Sequence, residues 1–454
     1  MIAINEMFAK CHQRLADTET TCLTGTVSRA TSMLIESLGP EVHIGELCKL
    51  TTQTDGEHVL AEVVGFKDKK TLLMPIAEMN GISPKSEVIA TGKPLQIKLG
   101  MSLKGRILDG LGSPIDNKGP IDYDEMRTIH NDAPEPLDRP LITDPISTGV
   151  RCIDSLLTCG KGQRLGIFAG SGVGKSTLLG KIARSSTADI NVIALIGERG
   201  REVREFIEYN LGKEGIKKSV VVVVTSDKPV VARLKGAFVA TTIAEYFRDK
   251  GLNVMMLLDS ITRLANAQRE LGLAIGEPPT TRGYTPSVFS VIPKLLERTG
   301  ITSKGSITAL YTVLVDGDDF NEPVSDTVRG TLDGHIILSR KLAAQNHFPA
   351  IDLLNSVSRC MIDVVTDGHM KAAQNLRSAY AIYKDAEDMI NVGAYVEGKN
   401  HKIDYAISKY DNITSYLKQG VSDESKYEED IDSLMKMMND YNVGAQNESA
   451  PVMN

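Results

Sequence analysis

The chain contains no tryptophan, and aromatic residues make up only 5% of its 454 residues. Proteins that stack nucleic-acid bases use such rings, and proteins that bind phosphate backbones carry an excess of lysine and arginine. Here acidic residues outnumber basic ones and give a net charge of −7. The sequence therefore predicts no nucleic-acid partner.

Paired cysteine motifs, a leader peptide and long apolar runs are also missing. The six cysteines show neither a C-x-x-C pair nor metal-ligand spacing, which indicates free thiols. The N-terminus lacks the basic start and apolar run of a signal peptide. No stretch approaches the roughly 18–20 apolar residues that span a bilayer. We therefore expect a cytoplasmic protein.

The strongest positive signal is the glycine-rich sequence LGIFAGSGVGKST at 165–177. Alternate glycines let several backbone N–H groups point at phosphate oxygens, and the helix that follows favours anions at its N-terminus. Lys175 can reach the β- and γ-phosphates of ATP, and the Ser176 hydroxyl can ligate Mg²⁺. The P-loop pattern G-x-x-x-x-G-K-[ST] has a glycine where this chain has Ala169. The nucleotide-binding residues predicted from this loop are Ala169, Gly170, Ser171, Gly172, Val173, Gly174, Lys175, Ser176 and Thr177.

Two later apolar runs end in acidic residues, Glu198 and Asp259. Because the carboxyl ends of parallel strands meet at one edge of a sheet, both carboxylates are expected near the phosphates. Glu198 is a candidate for orienting or deprotonating the attacking water, and Asp259 for supporting Mg²⁺ through water. Arg263, four residues beyond Asp259, is a candidate contact of the γ-phosphate.

Two further residues have open interpretations from spacing alone. Arg359 is either a surface arginine in a salt bridge or an arginine finger that enters a neighbouring site. Phe348, which precedes a proline, either stacks on the adenine ring or belongs to the core.

The texture of the chain changes along its length. Short β-rich runs separated by turn signals predict a small barrel, and the Pro- and Gly-rich segment 105–148 is typical of a wrapping linker. Near-continuous apolar runs then alternate with helical patterns, which predicts an α/β fold with a buried parallel sheet. The predicted organisation is a helical partner-binding segment at 1–20, a β-barrel at 21–100, an α/β domain at 101–365, a helical domain at 366–440 and a disordered tail at 441–454.

Long blocks of the chain closely resemble the type III protein-export ATPases, a family related to the catalytic subunits of rotary ATPases. The resemblance covers roughly residues 25–420, and two segments, DGDDFNEPVSD and NVGAYVEGKNHKIDYAI, look more like the flagellar member than its injectisome relatives. The blocks that carry it are GRILDGLGSPID (105–116), TGVRCIDSLLTCGKGQRLGIFAGSGVGKSTLLGKIA (148–183), ALIGERGREVREFI (194–207), LLDSITRLANAQRELGLAIGEPPTTRGYTPSVFSVIPKLLER (257–298) and GSITALYTVLVDGDDFNEPVSDTVRGTLDGHIILSR (305–340).

The resemblance implies a RecA-like ATPase domain between an N-terminal β-barrel and a helical C-terminal domain, and a homohexameric ring with nucleotide sites between subunits. By position, Glu198 matches the catalytic glutamate, Arg199 the adjoining arginine and Asp259 the Walker B acid. Arg359 matches the arginine finger supplied in trans, and Phe348 the aromatic residue beside adenine. Thr285 departs from the family, which usually has proline there, and the change could loosen the loop lining the pore of the ring.

Partners are implied in the same way. They are a stator-like regulator on the N-terminal segment, a central stalk protein, the membrane proteins of the export gate, and complexes of chaperones with export substrates. The implied activity is Mg²⁺-dependent ATP hydrolysis that unloads and unfolds export substrates at the inner membrane.

Three rival readings remain. A rotary ATP synthase subunit would need an acidic rotor-contacting motif in the helical domain, which is not found. A non-catalytic ring subunit would typically lack the carboxylate of Glu198. An RNA translocase is disfavoured by the acidic balance and the scarcity of aromatic residues.

Overall fold

The computed structural model describes residues 22–31, 33–52, 58–315, 319–320 and 322–439. The predicted partner-binding helix at 1–20 and the predicted disordered tail at 441–454 therefore lie outside the described residues. Within these ranges, no helix is both long enough and apolar enough to cross a membrane.

The first described part of the chain is a closed barrel of six antiparallel strands in the order β1-β2-β5-β4-β3-β6. Alternate side chains point inward, as expected for a half-buried strand, and Ile35, Leu50 and Leu73 are fully buried in its core. The barrel predicted from the short β-rich runs is thus confirmed. Its strands are β1 Thr24–Ala30, β2 Ile35–Leu38, β3 Glu46–Thr51, β4 His58–Lys67, β5 Lys70–Pro75 and β6 Glu87–Pro94.

The segment predicted to be a wrapping linker contains more regular structure than expected. Strand β8 joins the edge of the main sheet, and Arg106 and Asp116 form a buried ion pair with 2.8 Å between Nε and Oδ2. The carboxylate of Asp116 also accepts the backbone N–H of Ile107, so it holds the turn in place. The elements of this segment and its flanks, from residue 96 to residue 160, are β7 Gln96–Leu99, β8 Ile107–Leu108, β9 Glu125–Thr128, β10 Pro145–Ile146, helix α1 Arg151–Leu156 and β11 Cys159–Gly160.

The central feature is a nine-stranded sheet in the order β19-β18-β12-β17-β15-β13-β14-β8, with β16 pairing on β17. Seven of these strands run parallel, and the two short strands β16 and β19 run antiparallel to their neighbours. The apolar runs of the sequence form the inner strands, because a sheet covered by helices on both faces buries every side chain. The strands are β12 Arg164–Ala169, β13 Ile190–Glu198, β14 Ser219–Thr225, β15 Asn253–Asp259, β16 Gly300–Ile301, β17 Ser306–Leu314, β18 Gly334–Leu338 and β19 Val357–Ser358.

The helices of this part connect the strands. A π-helical turn at Phe206–Leu211 separates α3 from α4, and short 3₁₀ turns occur at Met101–Leu103, Pro136–Asp138 and Thr281–Gly283. The helices are α2 Lys175–Ser185, α3 Gly200–Glu205, α4 Gly212–Lys217, α5 Val230–Asp249, α6 Ile261–Ile275, α7 Pro286–Leu296, α8 Pro323–Thr331, α9 Arg340–Ala344 and α10 Met361–Val364.

The last described part is helical, as predicted. It consists of α11 Asp367–Asn391, α12 His401–Leu417 and α13 Tyr427–Met438. Leu434 and Met438 of the last helix are buried in the same core as the central sheet. At the acidic start of this helix, Asp430 is 7% exposed and pairs with Arg151, with 3.1 Å between Nε and Oδ1.

Candidate active site

The glycine-rich loop connects the end of β12 to the first residue of α2 and has the backbone shape of a phosphate cradle. Gly172 and Gly174 have φ of 79° and 86°, in the left-handed region that favours glycine. A side chain at Gly170 would collide with the guanidinium of Arg340. Gly172 and Gly174 therefore allow the left-handed backbone, and Gly170 leaves room for the guanidinium of Arg340.

Ala169, which departs from the P-loop pattern, is the last residue of β12. It is 1% exposed, and its carbonyl accepts the backbone N–H of Val315 at 3.0 Å. Since a strand residue needs no positive φ, a methyl group fits here without strain. The structure thus places Ala169 in the sheet that supports the cradle.

Lys175 meets two carboxylates at the carboxyl edge of the sheet. Its Nζ lies 2.5 Å from Oδ1 of Asp259 and 3.8 Å from Oε1 of Glu198. The hydroxyl of Thr312, on the strand between β12 and β15, donates to the same oxygen of Asp259 at 2.8 Å. Sequence reasoning missed Thr312, because a threonine inside an apolar strand gives no motif.

The carboxyl group of Glu198 is buried at the end of β13. Burial and the nearby charge of Asp259 raise its pKa to about 7, although Lys175 and Arg263 oppose the shift. Its Oε1 has no hydrogen-bond partner among the described residues. A buried carboxyl oxygen that lacks a hydrogen-bond partner, with Lys175 no nearer than 3.8 Å, is expected of a group that binds a water molecule or a substrate.

Arg263 and Arg199 lie on either side of this carboxylate in different settings. Arg263 packs over Gly197, and its Nε is buried with no hydrogen-bond partner among the described residues. The side chain of Arg199 is 79% exposed and lies 3.5 Å from Glu202. Glu202, a second residue not predicted from the sequence, also forms a hydrogen bond that favours protonated Glu198.

These groups surround one cavity of about 440 Å³. The glycine loop forms one wall, and Ser176 and Thr177 lie at the start of α2 on the same side. Glu198, Arg199 and Arg263 also line the cavity. The structure therefore brings together the predicted loop, Lys175, Glu198, Arg199 and Arg263 around one cavity, with Asp259 bonded to Lys175.

A second cavity of about 410 Å³ shares Gly174 and Thr177 with the first. Its lining is mostly apolar, and it includes Phe348 and Val173 together with residues that follow α12. Phe348 is 41% exposed, and a Cβ added at Gly174 would lie 3.6 Å from its ring. An exposed ring beside the cradle favours the base-stacking interpretation of Phe348 over the core interpretation.

Arg359 is the predicted residue that the structure does not bring to this site. It follows β19, and its backbone N–H donates to the carbonyl of Asp333 at 3.0 Å, just before β18 begins. That position is at the amino end of β18, about 13 Å along the strand from the edge that carries the cradle. Its side chain is exposed.

The donor set fits a magnesium ion held chiefly by a nucleotide. In the described part of the chain, no cluster of three or more histidine, cysteine or acidic side chains could hold a metal alone. Magnesium at phosphate sites takes one or two protein oxygens and keeps several waters. The hydroxyl of Ser176 and the carboxylate of Asp259 match that need.

Comparison with known proteins covers most of the chain. The family model for the ATP synthase alpha/beta family, nucleotide-binding domain, matches residues 149–358. The beta-barrel domain of that family matches residues 27–92, and the T3SS EscN ATPase C-terminal domain matches residues 365–436.

Individual relatives extend this likeness over nearly the full length. The flagellum-specific ATP synthase of Bacillus subtilis is 54% identical over 91% of this chain and 94% of its own length. The type 3 secretion system ATPase of Xanthomonas euvesicatoria is 49% identical over 92% of this chain and 94% of its own. The structure of the assembled ATPase EscN from enteropathogenic E. coli superimposes with a TM-score of 0.87 at 46% identity, covering 91% of this chain and all of EscN.

Proposed function

The chain belongs to the family of flagellum-specific and type III secretion ATPases, and from this premise we propose that it is the flagellar member. It hydrolyses ATP in support of type III protein export, as the family does. The flagellar assignment is supported by the 54% identity to the flagellum-specific ATP synthase of Bacillus subtilis. The segments DGDDFNEPVSD and 391–407 support it as well. The observation that carries the catalytic assignment is the meeting of Lys175, Glu198 and Asp259 beside one phosphate cradle.

The mechanism we infer uses water as the nucleophile and Glu198 as the group that orients it and accepts its proton. The partnerless Oε1 of Glu198 supplies the acceptor, and a pKa near 7 suits a base that must release the proton again. Lys175 exchanges its carboxylate partners for phosphate oxygens and stabilises the charge that develops on them. Arg263, buried and partnerless at Nε, is placed to add a second positive charge.

Magnesium, held by the nucleotide with Ser176 and Asp259, would supply positive charge along the phosphates. The base would lie in the apolar cavity against Phe348, and the phosphates in the glycine cradle. Arg199 lies at the rim of the phosphate cavity, where a second subunit could meet it.

We also propose a homohexameric ring in which Arg359 of one subunit completes the site of the next. Its position away from its own cradle supports this, as does the existence of an assembled form of EscN. A central stalk is a further expected partner, since EscN has been solved with its stalk EscO. The stator-like regulator, the export gate and chaperone–substrate complexes at the inner membrane remain proposals from the family resemblance.

Complementation tests the flagellar assignment. We expect this chain to restore motility to Bacillus subtilis that lacks its own flagellum-specific ATP synthase, while the K175A variant, which cannot hold phosphate, fails. Restored secretion in Xanthomonas euvesicatoria lacking its type 3 secretion ATPase, without restored motility in the first host, would assign the chain to the injectisome. Absence of Mg²⁺-dependent phosphate release by the purified chain would contradict the enzyme assignment itself.

A further inference from the structure

The second cavity, which contains Phe348 and is called the base cavity below, is lined in part by a loop of the helical domain. This strap, residues 418–426 between α12 and α13, contributes Gln419, Gly420 and Val421 to the lining. Its first turn continues the wall that holds Phe348, because the backbone N–H of Gln419 donates to the carbonyl of Phe348 at 2.9 Å. The strap is therefore part of the surface that a base would touch.

A buried lysine of the P-loop helix reaches this strap. Lys181 lies six residues after Lys175 on α2, which is about 9 Å along the helix. It is 6% exposed, and its side chain lines the same cavity as the strap. Its ammonium donates to the carbonyl of Gly420 at 2.6 Å and to that of Asp423 at 3.1 Å. Burial lowers the pKa of Lys181, while the charge of Asp423 opposes this shift. A buried cation held by two backbone carbonyls fixes the distance between helix and strap.

Other bonds hold the strap to different parts of the domain. The side-chain carbonyl of Gln419 accepts the N–H of Arg151 at 2.9 Å, and its amide donates to the carbonyl of Gly149 at 3.3 Å. The carboxylate of Asp423 accepts the N–H of Gly420 at 2.6 Å and so tightens the turn. Among these contacts, that of Lys181 joins the strap to the helix whose first turn holds the phosphates.

We propose that Lys181 is a positioning residue for the purine base. By joining α2 to the strap, it holds Gly420 and Val421 against the base, while the glycine cradle holds the phosphates without its help. Base recognition and phosphate recognition are then separable, and the separation is a property of this one side chain. The inference rests on the proposed nucleotide site. It requires in addition that base binding can be weakened without weakening phosphate binding.

The test compares a ligand that has a base with one that lacks it. In K181M, which keeps the length and apolar stem of the side chain, we expect the KM for MgATP to rise about 5- to 30-fold, with kcat within about twofold of the unmodified chain. The inhibition constant of magnesium tripolyphosphate, which offers only phosphates, should change less than about twofold. K181R, which keeps a buried donor, should recover part of the lost KM.

A second variant acts on the strap from its other end. D423A removes the exposed carboxylate that tightens the turn and leaves α2 untouched, so it should give the same split between MgATP and tripolyphosphate even if K181M folds poorly. K217M is the matched control, because Lys217 lies outside the strap and loses an exposed ion pair with Glu214. Equal weakening of both ligands, or no change in the KM for MgATP in either variant, would overturn the proposal. An unmodified chain that fails to bind MgATP would instead overturn the nucleotide site.

Discussion

The carboxyl group of Glu198 occupies surroundings that suit its proposed task and oppose its own charge. Burial and the neighbouring Asp259 favour the neutral form, and the positive charges of Lys175 and Arg263 oppose it. A base with a pKa near the working pH can take a proton from water and return it. From these surroundings we predict the effects of Glu198 on turnover, on the pH dependence of kcat/KM and on stability.

The first prediction concerns turnover. E198Q removes the proton acceptor and keeps the shape, so kcat should fall about 10²- to 10⁴-fold while the affinity for MgATP stays within about threefold. Steady-state phosphate release and equilibrium nucleotide binding measure the two quantities. E205Q is a suitable control, because Glu205 makes only an exposed pair with Arg201. Near-normal turnover in E198Q would remove Glu198 from the mechanism.

The second prediction concerns the pH dependence of kcat/KM. The raised pKa of Glu198 means that the free enzyme gains its base as pH rises through about 7, so kcat/KM should increase from pH 6 and level off above pH 8. The γ-phosphate of ATP also titrates in this range. The residual activity of E198Q separates the two, since an inflection due to the substrate persists there and one due to Glu198 disappears.

The third prediction concerns stability in the absence of nucleotide. Because the folded-state pKa of Glu198 is raised, its contribution is full below the unfolded pKa of about 4.5 and is lost as pH rises through about 7. At pH 8 the unmodified chain therefore holds an unfavourable buried charge that E198Q lacks. We expect E198Q to melt about 2–4 °C higher at pH 8, with a smaller difference at pH 5.5. A difference independent of pH would contradict this account.

At the level of elements, strand order explains how distant parts of the sequence meet. The glycine loop follows β12, Asp259 ends β15 and Glu198 ends β13, and the order β12-β17-β15-β13 sets these ends along one edge. Neighbouring strands lie about 4.8 Å apart, so two strand spacings separate the loop from Asp259. The long side chain of Lys175 spans that gap, and Thr312 of the intervening β17 fixes the carboxylate.

The cradle gives a prediction at this scale. G174A forces a methyl group onto a backbone with φ of 86°, where the space beside Phe348 is sufficient but the conformation is strained. The strain costs about 1–2 kcal/mol and should raise the KM for MgATP about 5- to 30-fold. The converse change, A169G, restores the P-loop pattern, yet it should destabilise the fold by about 0.5–1 kcal/mol without tightening nucleotide binding. Tighter binding in A169G would show that position 169 belongs to the cradle.

The elements were predictable where their cause is local. Apolar runs such as SVVVVVT and SITALYTVL are strands in the structure because burial on both faces demands continuous apolar residues. The glycine loop and the strand-end acids carry their chemistry in adjacent residues, so the sequence alone pointed to them. Thr312 and Glu202 were missed, since neither belongs to a motif and their contacts with Asp259 and Glu198 appear only in the folded chain. The Pro- and Gly-rich segment 105–148 is mostly irregular, and the contacts by which Asp116 fixes its turn could not be predicted, because no periodic pattern reports them.

For the molecule as a whole, the described chain brings together every part of the proposed hydrolytic site except Arg359. It supplies the phosphate cradle, the base pocket and the candidate base, while Arg359 lies beyond the opposite end of β18. We therefore propose that this cation acts on phosphate in a second copy. The resemblance to a ring-forming family and the position of Arg359 thus lead to the same expectation.

Mixing two inactive variants tests it. R359A keeps its own cradle and K175A keeps its own finger, so mixed assemblies should recover up to about a quarter of the unmodified activity, the share of interfaces that pair the two intact halves. Phosphate release by assemblies shown to contain both variants is the measurement. R29A, which changes an exposed arginine of the barrel, should lose no activity by itself. No recovery in verified mixed assemblies would place Arg359 outside the reaction.

The distance between Arg359 and its own cradle also affects how much ATP unassembled copies of the chain would consume. If Arg359 acts in trans as proposed, a newly made copy would load nucleotide before it has neighbours, but its own Arg359 would be too far from its cradle to speed cleavage. Unassembled copies would then leave the cellular ATP supply nearly untouched, however many accumulate. Assembly would itself start ATP hydrolysis, which would occur only where copies of the chain lie side by side.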